Sequence, residues 1–478
     1  MRKRVSMSKT QFSGRLLMVG FGSIGQGVLP LLLEHVDISR DRIAIVAADS
    51  AGAAVAKEYG IAFDEIELTR DNYLDVLTPR LDRGDFLLNL SVEVSSADLI
   101  EFCHKRGVLY LDTCTEPWPG HYTNPDLTPS QRSNYASRED MLTLRRRLGT
   151  GPTAVITHGC NPGWVSHVTK QALLDVARDR GIATTAPTTR DGWAALSRKL
   201  GVKAIQISER DAQVSTTPRR LGEFVNTWSI EGFVAEGCQP AELGWGTHET
   251  RWPAQGDEHA FGERCAIFLN RPGANTRVKS WSPAEGPFNG FLITHSESIS
   301  IASYLTSLDE HNSVVYRPTV YYAYHPCDDA VMSLHELAGK NWEWPENKRL
   351  IVDDIEDGRI DEIGIFLLGM NDGRSYWLGS QISIDDARQR APRSNATTLL
   401  VTAPTLAGVI WAMENPDRGL VEPEEMDHDR VLEISNPYLE PIVGEFTDWT
   451  PLKNRQQLFP EPHLAPDDPW QFVNFLDP

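Results

Sequence analysis

The chain has 478 residues, with 66 acidic residues against 46 basic ones and a formal charge of −20. At about 150 residues per domain, that is two to three domains' worth of chain. A composition of 41% hydrophobic and 23% charged residues excludes wholesale disorder. The acidic surplus repels phosphate backbones, so nucleic acid is not expected as a partner, and it attracts small cations.

At the start of the chain the basic residues Arg2, Lys3 and Arg4 have no apolar run behind them. A secretory leader needs such a run of about 7–15 residues, so residues 1–13 read as a flexible arm. No window approaches the roughly 18 consecutive apolar residues of a membrane-spanning helix, and no membrane partner is expected. The cysteines at Cys103, Cys114, Cys160, Cys238, Cys265 and Cys327 are scattered, with no CxxC pair. That spacing favours a reducing, cytoplasmic setting and no metal site.

Residues 14–157 alternate short apolar runs with helical patterns. The pattern predicts strands over 16–19, 43–47, 86–90 and 108–112. Helices are predicted through Val28, Leu31, Leu32 and Leu33, over 50–59 closed by Gly60, and over 97–106 closed by Gly107. Continuous apolar strands separated by helices imply a parallel sheet covered on both faces. From 158 to 390 the chain turns β-rich, with many Trp, Gly and Pro residues, which marks a second, inserted domain. A helix over 398–413 returns the chain, within about 391–415, to the first domain. Residues 416–478, rich in Pro and Asp, are expected to wrap the surface.

The motif Gly20-Phe21-Gly22-Ser23-Ile24-Gly25 follows the first strand and opens the first helix. The first glycine permits a tight turn, the second lets backbone approach a pyrophosphate, and the third lets helix and strand pack closely. Ser23 and Ile24 then begin the helix whose N-terminus faces the phosphates. Asp49, at the end of the second strand, fits either a contact to a ribose 2′-hydroxyl or a helix cap. A carboxylate there repels a 2′-phosphate and favours NAD over NADP. Asn89 and Thr113, at later strand ends, should line the same crevice. The fold class is therefore α/β, a Rossmann-type NAD-binding domain with an inserted α+β domain and a C-terminal return.

Gly159-Cys160-Asn161-Pro162-Gly163 follows a strand predicted over 153–157. It reads as a tight turn, and its place at a strand end and domain junction also suits contact of Asn161 and Pro162 with a nicotinamide. The Asn161 side-chain carbonyl could orient a substrate amine. The inserted domain groups acids with aromatics: Glu209, Trp228, Glu231 and Glu236, then His295 and Glu297. A strand predicted over 293–298 places His295 and Glu297 on one face, as a proton-transfer pair. Each residue alone has an ordinary reading too, since surface Glu is usually solvated and Trp is usually packing.

Longer motifs point further. Val-Gly-Phe-Gly-Ser-Ile-Gly at 19–25, Asn-Leu-Ser-Val at 89–92, Glu-Pro-Trp at 116–118 and Asn-Pro-Gly at 161–163 lie in or beside the first domain. Glu-Arg-Asp at 209–211, Phe-Val-Asn-Thr-Trp-Ser at 224–229, Glu-Ser-Ile-Ser-Ile-Ala at 297–302 and Tyr-Ala-Tyr-His-Pro-Cys at 322–327 lie in the insertion. With these, the sequence resembles the bacterial homospermidine synthases, relatives of the saccharopine dehydrogenase-like reductases, across almost its whole length. The resemblance implies NAD-dependent oxidation of putrescine to an imine, attack by a second putrescine, loss of ammonia, and reduction by the same cofactor. Spermidine is an alternative aminobutyl donor in the family, and the inserted domain is expected to form a homodimer.

On that basis Asn161, Glu209 and His295 surround the reacting amine, and either Glu209 or His295 moves the proton. Glu297 orients His295 or shares its charge. The position of Trp228 faces the reacting centre, where an indole stabilises cationic imines. Glu236 holds substrate, and Glu93 and Glu116 receive the outer ammonium. Where members of the family carry Asp, this chain has Glu93, one methylene longer. Relatives also place the acid of the second strand earlier than Asp49. Two other readings stand beside this one. A saccharopine- or carboxynorspermidine-type reductase needs Arg clamps for a carboxylate, for which Arg210 and Arg277 are the nearby candidates. A non-catalytic NAD-binding regulator would bind cofactor without turning over polyamine.

Overall fold

The computed structural model describes residues 9–183, 185–391, 393–455, 461 and 464–477. Most of the expected N-terminal arm, residues 1–8, lies outside them, as do 456–460, 462, 463 and 478 of the expected wrapping segment. Within the arm, Thr10–Gln11 instead pairs in parallel with Val36–Asp37.

Leu16–Val19, Phe86–Asn89 and Leu109–Asp112 are buried at every position. Strands with no polar face must be covered on both sides, which only a helix-flanked parallel sheet provides. These three run at the centre of a seven-stranded sheet in which each neighbouring pair is parallel. Its order is Leu420–Val421, Ala154–Val155, Leu109–Asp112, Phe86–Asn89, Leu16–Val19, Ile43–Ala47 and Ala62–Glu65. The helix Ser23–His35 crosses from the first strand, and Ala396–Glu414 packs on it from the far end of the chain. A Cβ on Gly27 would stand 2.9 Å from Cγ2 of Thr402, so a glycine is needed for the two helices to meet. Ala396–Glu414 is long and apolar enough to cross a membrane. It lies inside the fold, with 16 of its 19 residues buried.

The second sheet is mixed and ten-stranded among the described residues. Its centre is formed by Thr319–His325, Ala204–Asp211 and Ile360–Leu368, the first pair parallel and the second antiparallel. Ser375–Ser383 and then Ile442–Thr447 extend it on one side. The helix Trp164–Asp179 packs on Ile360–Leu368 and Ser375–Ser383 and joins the two sheets. The chain after 416, expected to wrap the surface, contributes more than that. Leu420–Val421 is an edge strand of the parallel sheet and Ile442–Thr447 an edge strand of the mixed one. Its last described part lies across a sheet face, where Phe472 and Phe475 insert among Trp281, Tyr321 and Trp449.

Candidate functional site

The glycine-rich turn has the geometry a dinucleotide requires. Gly20 has φ +85°, and a Cβ there would lie 2.7 Å from the Leu90 carbonyl carbon, so the turn itself needs a glycine. Gly22 differs: a Cβ would meet nothing within 4 Å. Its backbone is thus open to approach at the N-terminus of Ser23–His35, where a pyrophosphate would be held. A Cβ on Gly25 would meet the Phe21 ring at 2.9 Å and Gly20 O at 3.1 Å, which is the close-packing position. Asp49 is exposed after Ile43–Ala47, and its carboxylate accepts the Ala51 N–H at 2.9 Å. It therefore caps a local turn, while the helix Ala53–Tyr59 begins after Gly52. Asn89 is buried and donates to Tyr110 Oη at 3.3 Å. Tyr110 Oη in turn donates to Asp112, whose carboxyl burial pushes up to about 6. Thr113 and Pro162 are partly exposed, and the Asn161–Pro162 peptide is cis.

A buried polar cluster forms where five segments converge. Glu209, near the end of Ala204–Asp211, is buried and accepts a hydrogen bond from Tyr322 Oη on the adjoining strand. The Asn161 side-chain amide lies beside the Tyr322 hydroxyl and 3.4 Å from His295 Nδ1. His295 Nε2 lies 3.0 Å from Glu236 and its Nδ1 3.2 Å from Glu297. Burial opposes charge on His295, but Glu297 and Glu236 outweigh it and hold the imidazole well above its usual pKa, as a cation. Burial pushes the Glu209 carboxyl up to about 8, with the Asp211 and Glu297 charges adding to it. Tyr322 and His295 partly offset that rise. Glu209 is thus the group here that can change protonation near neutrality.

The expectation that His295 and Glu297 share a strand face is corrected. The strand ends at Ile293, His295 is an extended cap with φ −145°, and Glu297 lies in the first turn of Ser296–Tyr304. They meet because the helix turns Glu297 back over its own cap. Trp228 is half-buried just before the helix Ile230–Cys238, and its Nε1–H donates to Tyr324 Oη at 3.0 Å. Glu236 lies near the end of that helix. Glu231, at its start, instead pairs with Lys348 at 2.8 Å and stands apart from the centre.

The outer acids also converge. The Glu116 backbone N–H donates to Ser96 Oγ at 3.1 Å, and the Glu93 backbone lies close to its carboxyl. Burial and the nearby Glu236 charge push Glu116 up to about 7. Glu93 is exposed, with φ +58°. Tyr122 and Cys114 feel the same two carboxylates, which push both hydroxyl and thiol upward in addition to burial. Neither arginine named for a carboxylate clamp is free to act as one. Arg210 pairs with Asp328 and Glu285, and Arg277 bonds His335 and lies over Phe291.

Tyr322 and Tyr324 were not singled out from the sequence as functional. They alternate on one strand, stack at 5.2 Å, and send one hydroxyl to Glu209 and the other to Trp228. Their motif, Tyr-Ala-Tyr-His-Pro-Cys, reads as an ordinary apolar strand, and the period-two spacing was the available signal.

Comparison with known proteins places the chain in a family. Residues 16–155 match the Saccharopine dehydrogenase NADP binding domain, and residues 159–448 match the Saccharopine dehydrogenase C-terminal domain. The homospermidine synthase of Blastochloris viridis is 49% identical over 469 residues, 98% of each chain. That of Mesorhizobium japonicum is 47% identical over 473 residues, 98% of this chain and 97% of that one. The crystal structure of the homospermidine synthase from Legionella pneumophila in complex with NAD has a TM-score of 0.92 at 46% identity, covering 98% of this chain and 99% of that one.

Proposed function

The chain belongs to the homospermidine synthase family of saccharopine dehydrogenase-like proteins, and from that premise we propose how its residues make homospermidine from two molecules of putrescine. NAD, when bound at the glycine-rich turn, accepts a hydride from the carbon bearing one amino group and returns it once the second amine has joined. Between those events the substrate imine is attacked by the second putrescine nitrogen and ammonia leaves.

The site suits a diamine because both ends of its polar lining are acidic and its middle is aromatic. A terminal ammonium needs carboxylates, and a butyl chain needs apolar surface. Glu93, Glu116 and Glu236 receive the outer ammonium. The alkyl chain and the cationic imine lie against Trp228, held in place by Tyr324. At the reacting end, Asn161 orients the amine, and Glu209 takes its proton and later supplies one to departing ammonia. His295, held as a cation between Glu236 and Glu297, orients these acids rather than acting as base. Asn161, Pro162 and Thr113 border the nicotinamide, Asp49 the ribose.

The observation that carries this reading is the Glu209–Tyr322–Asn161–His295 cluster with its two flanking acids. A carboxylate-bearing substrate would need an uncommitted cation there, whereas His295 is paired with Glu236 and Glu297, and Arg210 and Arg277 are turned elsewhere. We assign the enzyme a reducing, cytoplasmic setting, which its six unpaired cysteines suit, and a homodimeric state formed through the inserted domain. Spermidine is proposed as a second aminobutyl donor. Incubation of the enzyme with NAD and putrescine should yield homospermidine and ammonia with no net NADH; steady accumulation of NADH without homospermidine would refute the reading.

A further inference from the structure

Behind the reaction centre the mixed sheet carries two carboxyls that this chemistry does not use. Glu209 and Asp211 are two apart on Ala204–Asp211 and so face the same side. Asp361, on Ile360–Leu368, is the direct cross-strand partner of Asp211. Both aspartates are fully buried, and side chains opposed in this way stand about 5 Å apart at Cβ.

Their hydrogen bonding is unequal. Asp211 accepts from Thr227 Oγ1 at 2.7 Å, from the Gln213 backbone N–H at 2.9 Å and from Gln213 Nε2 at 3.0 Å. Asp361 accepts from Thr397 Oγ1 at 2.5 Å on one oxygen, while its buried Oδ1 has no partner among the described residues. Two close carboxyls in a dry interior do not both ionise, and the proton settles where the charged form has fewer donors. Burial first, then the Asp211 and Glu209 charges, raise the Asp361 carboxyl well above the usual range.

We propose that Asp361 is carried as a neutral acid beside an ionised Asp211, and that this pair is the positioning element that governs when Glu209 takes up and gives up its proton. The inference rests on the assignment of Glu209 as the proton-moving group. The other groups facing Glu209 are Tyr322, His295 and Glu297, with Tyr324 and Cys160 close by. Ile363, opposite Glu209 on the third strand, adds no charge. Cys327 also faces Asp211, and Arg210, whose charge acts on both aspartates, is turned to Asp328 and Glu285.

The test is infrared spectroscopy of the NAD-loaded enzyme, with variant-minus-unmodified differences at fixed pH to read carboxyls that stay protonated and differences across pH to read those that titrate, together with the pH profile of turnover. Glu209→Gln identifies the Glu209 band. Asp361→Asn exchanges a neutral acid for a neutral amide, so it should delete one protonated-carboxyl band and leave the Glu209 midpoint in place. Asp211→Asn removes a negative charge and should lower the Glu209 midpoint by about one pH unit or more. The pair is refuted if Asp361→Asn deletes no band, or if Asp211→Asn leaves the midpoint unmoved. If the turnover profile ignores an infrared midpoint that does move, the pair stands and the role given to Glu209 falls.

Discussion

Glu236 and His295 meet at 3.0 Å, and this contact joins the acids proposed to receive the outer ammonium to the proposed reaction centre. One face of the imidazole is tied to Glu236 and the other to Glu297. An incoming ammonium competes with that cation for the same carboxylates. Glu236→Gln should therefore raise the KM for putrescine by about tenfold or more, since a hydrogen bond to a charged group contributes about 1.5–3 kcal/mol. NAD affinity, followed by fluorescence titration, should stay within error of the unmodified enzyme.

Trp228 is anchored through its indole N–H to Tyr324, and in the proposed mechanism its π face lies beside the reacting carbon. A desolvated cation–π contact is worth about 2 kcal/mol or more, so Trp228→Ala should cut turnover by roughly thirtyfold or more while NAD binding survives. Trp228→Phe keeps a ring and should recover part of the loss. Unchanged homospermidine formation in the alanine variant would remove the indole from the mechanism.

Glu209→Gln should abolish exchange of deuterium between α-deuterated putrescine and bound NAD, because the amine is then not deprotonated for hydride loss. Wild-type exchange rates would show that Glu209 is dispensable in that step.

The same substitution has a stability signature. A buried carboxyl raised from the ordinary range to about 8 binds a proton in the folded state that the unfolded chain has already released. Stability then falls as pH rises from about 4.5 through about 8. The difference in Tm between Glu209→Gln and the unmodified protein should accordingly become more positive from pH 5 to about pH 9. A constant difference would contradict the raised carboxyl.

Two glycines in one turn should behave differently. Gly22→Ala adds a Cβ that meets nothing within the fold, so Tm should hold while NAD affinity drops by about tenfold or more. Gly20→Ala adds one against the Leu90 carbonyl at a backbone angle of +85°, so it should lower Tm as well.

The parts of the fold legible in the sequence are those where burial leaves one solution. Leu16–Val19 and Ile43–Ala47 coincide with their predicted ranges because apolar strands covered on both faces are unbroken in sequence. The segment after Ile293 misleads for the opposite reason. Ser296–Tyr304 is buried from Glu297 to Ser303, so its helix shows no polar face, and the alternation of Ile299 and Ile301 with serines imitates a strand. Glu209, Trp228, His295 and Glu236 are named by their chemical type, but their distances depend on three separated segments meeting. Asp211 and Asp361 are 150 positions apart and gain meaning only through ladder register. Tyr322 and Tyr324 look like core until their hydroxyls are followed to Glu209 and Trp228.

The central claim is that one hydride is removed and returned within a polyamine site. Putrescine deuterated at both α-carbons tests it most directly, with the product read by mass spectrometry. The account predicts homospermidine that retains every deuterium, with no labelled NADH released. Product lacking deuterium at the joined carbon, or deuterium accumulating in free NADH, would contradict it.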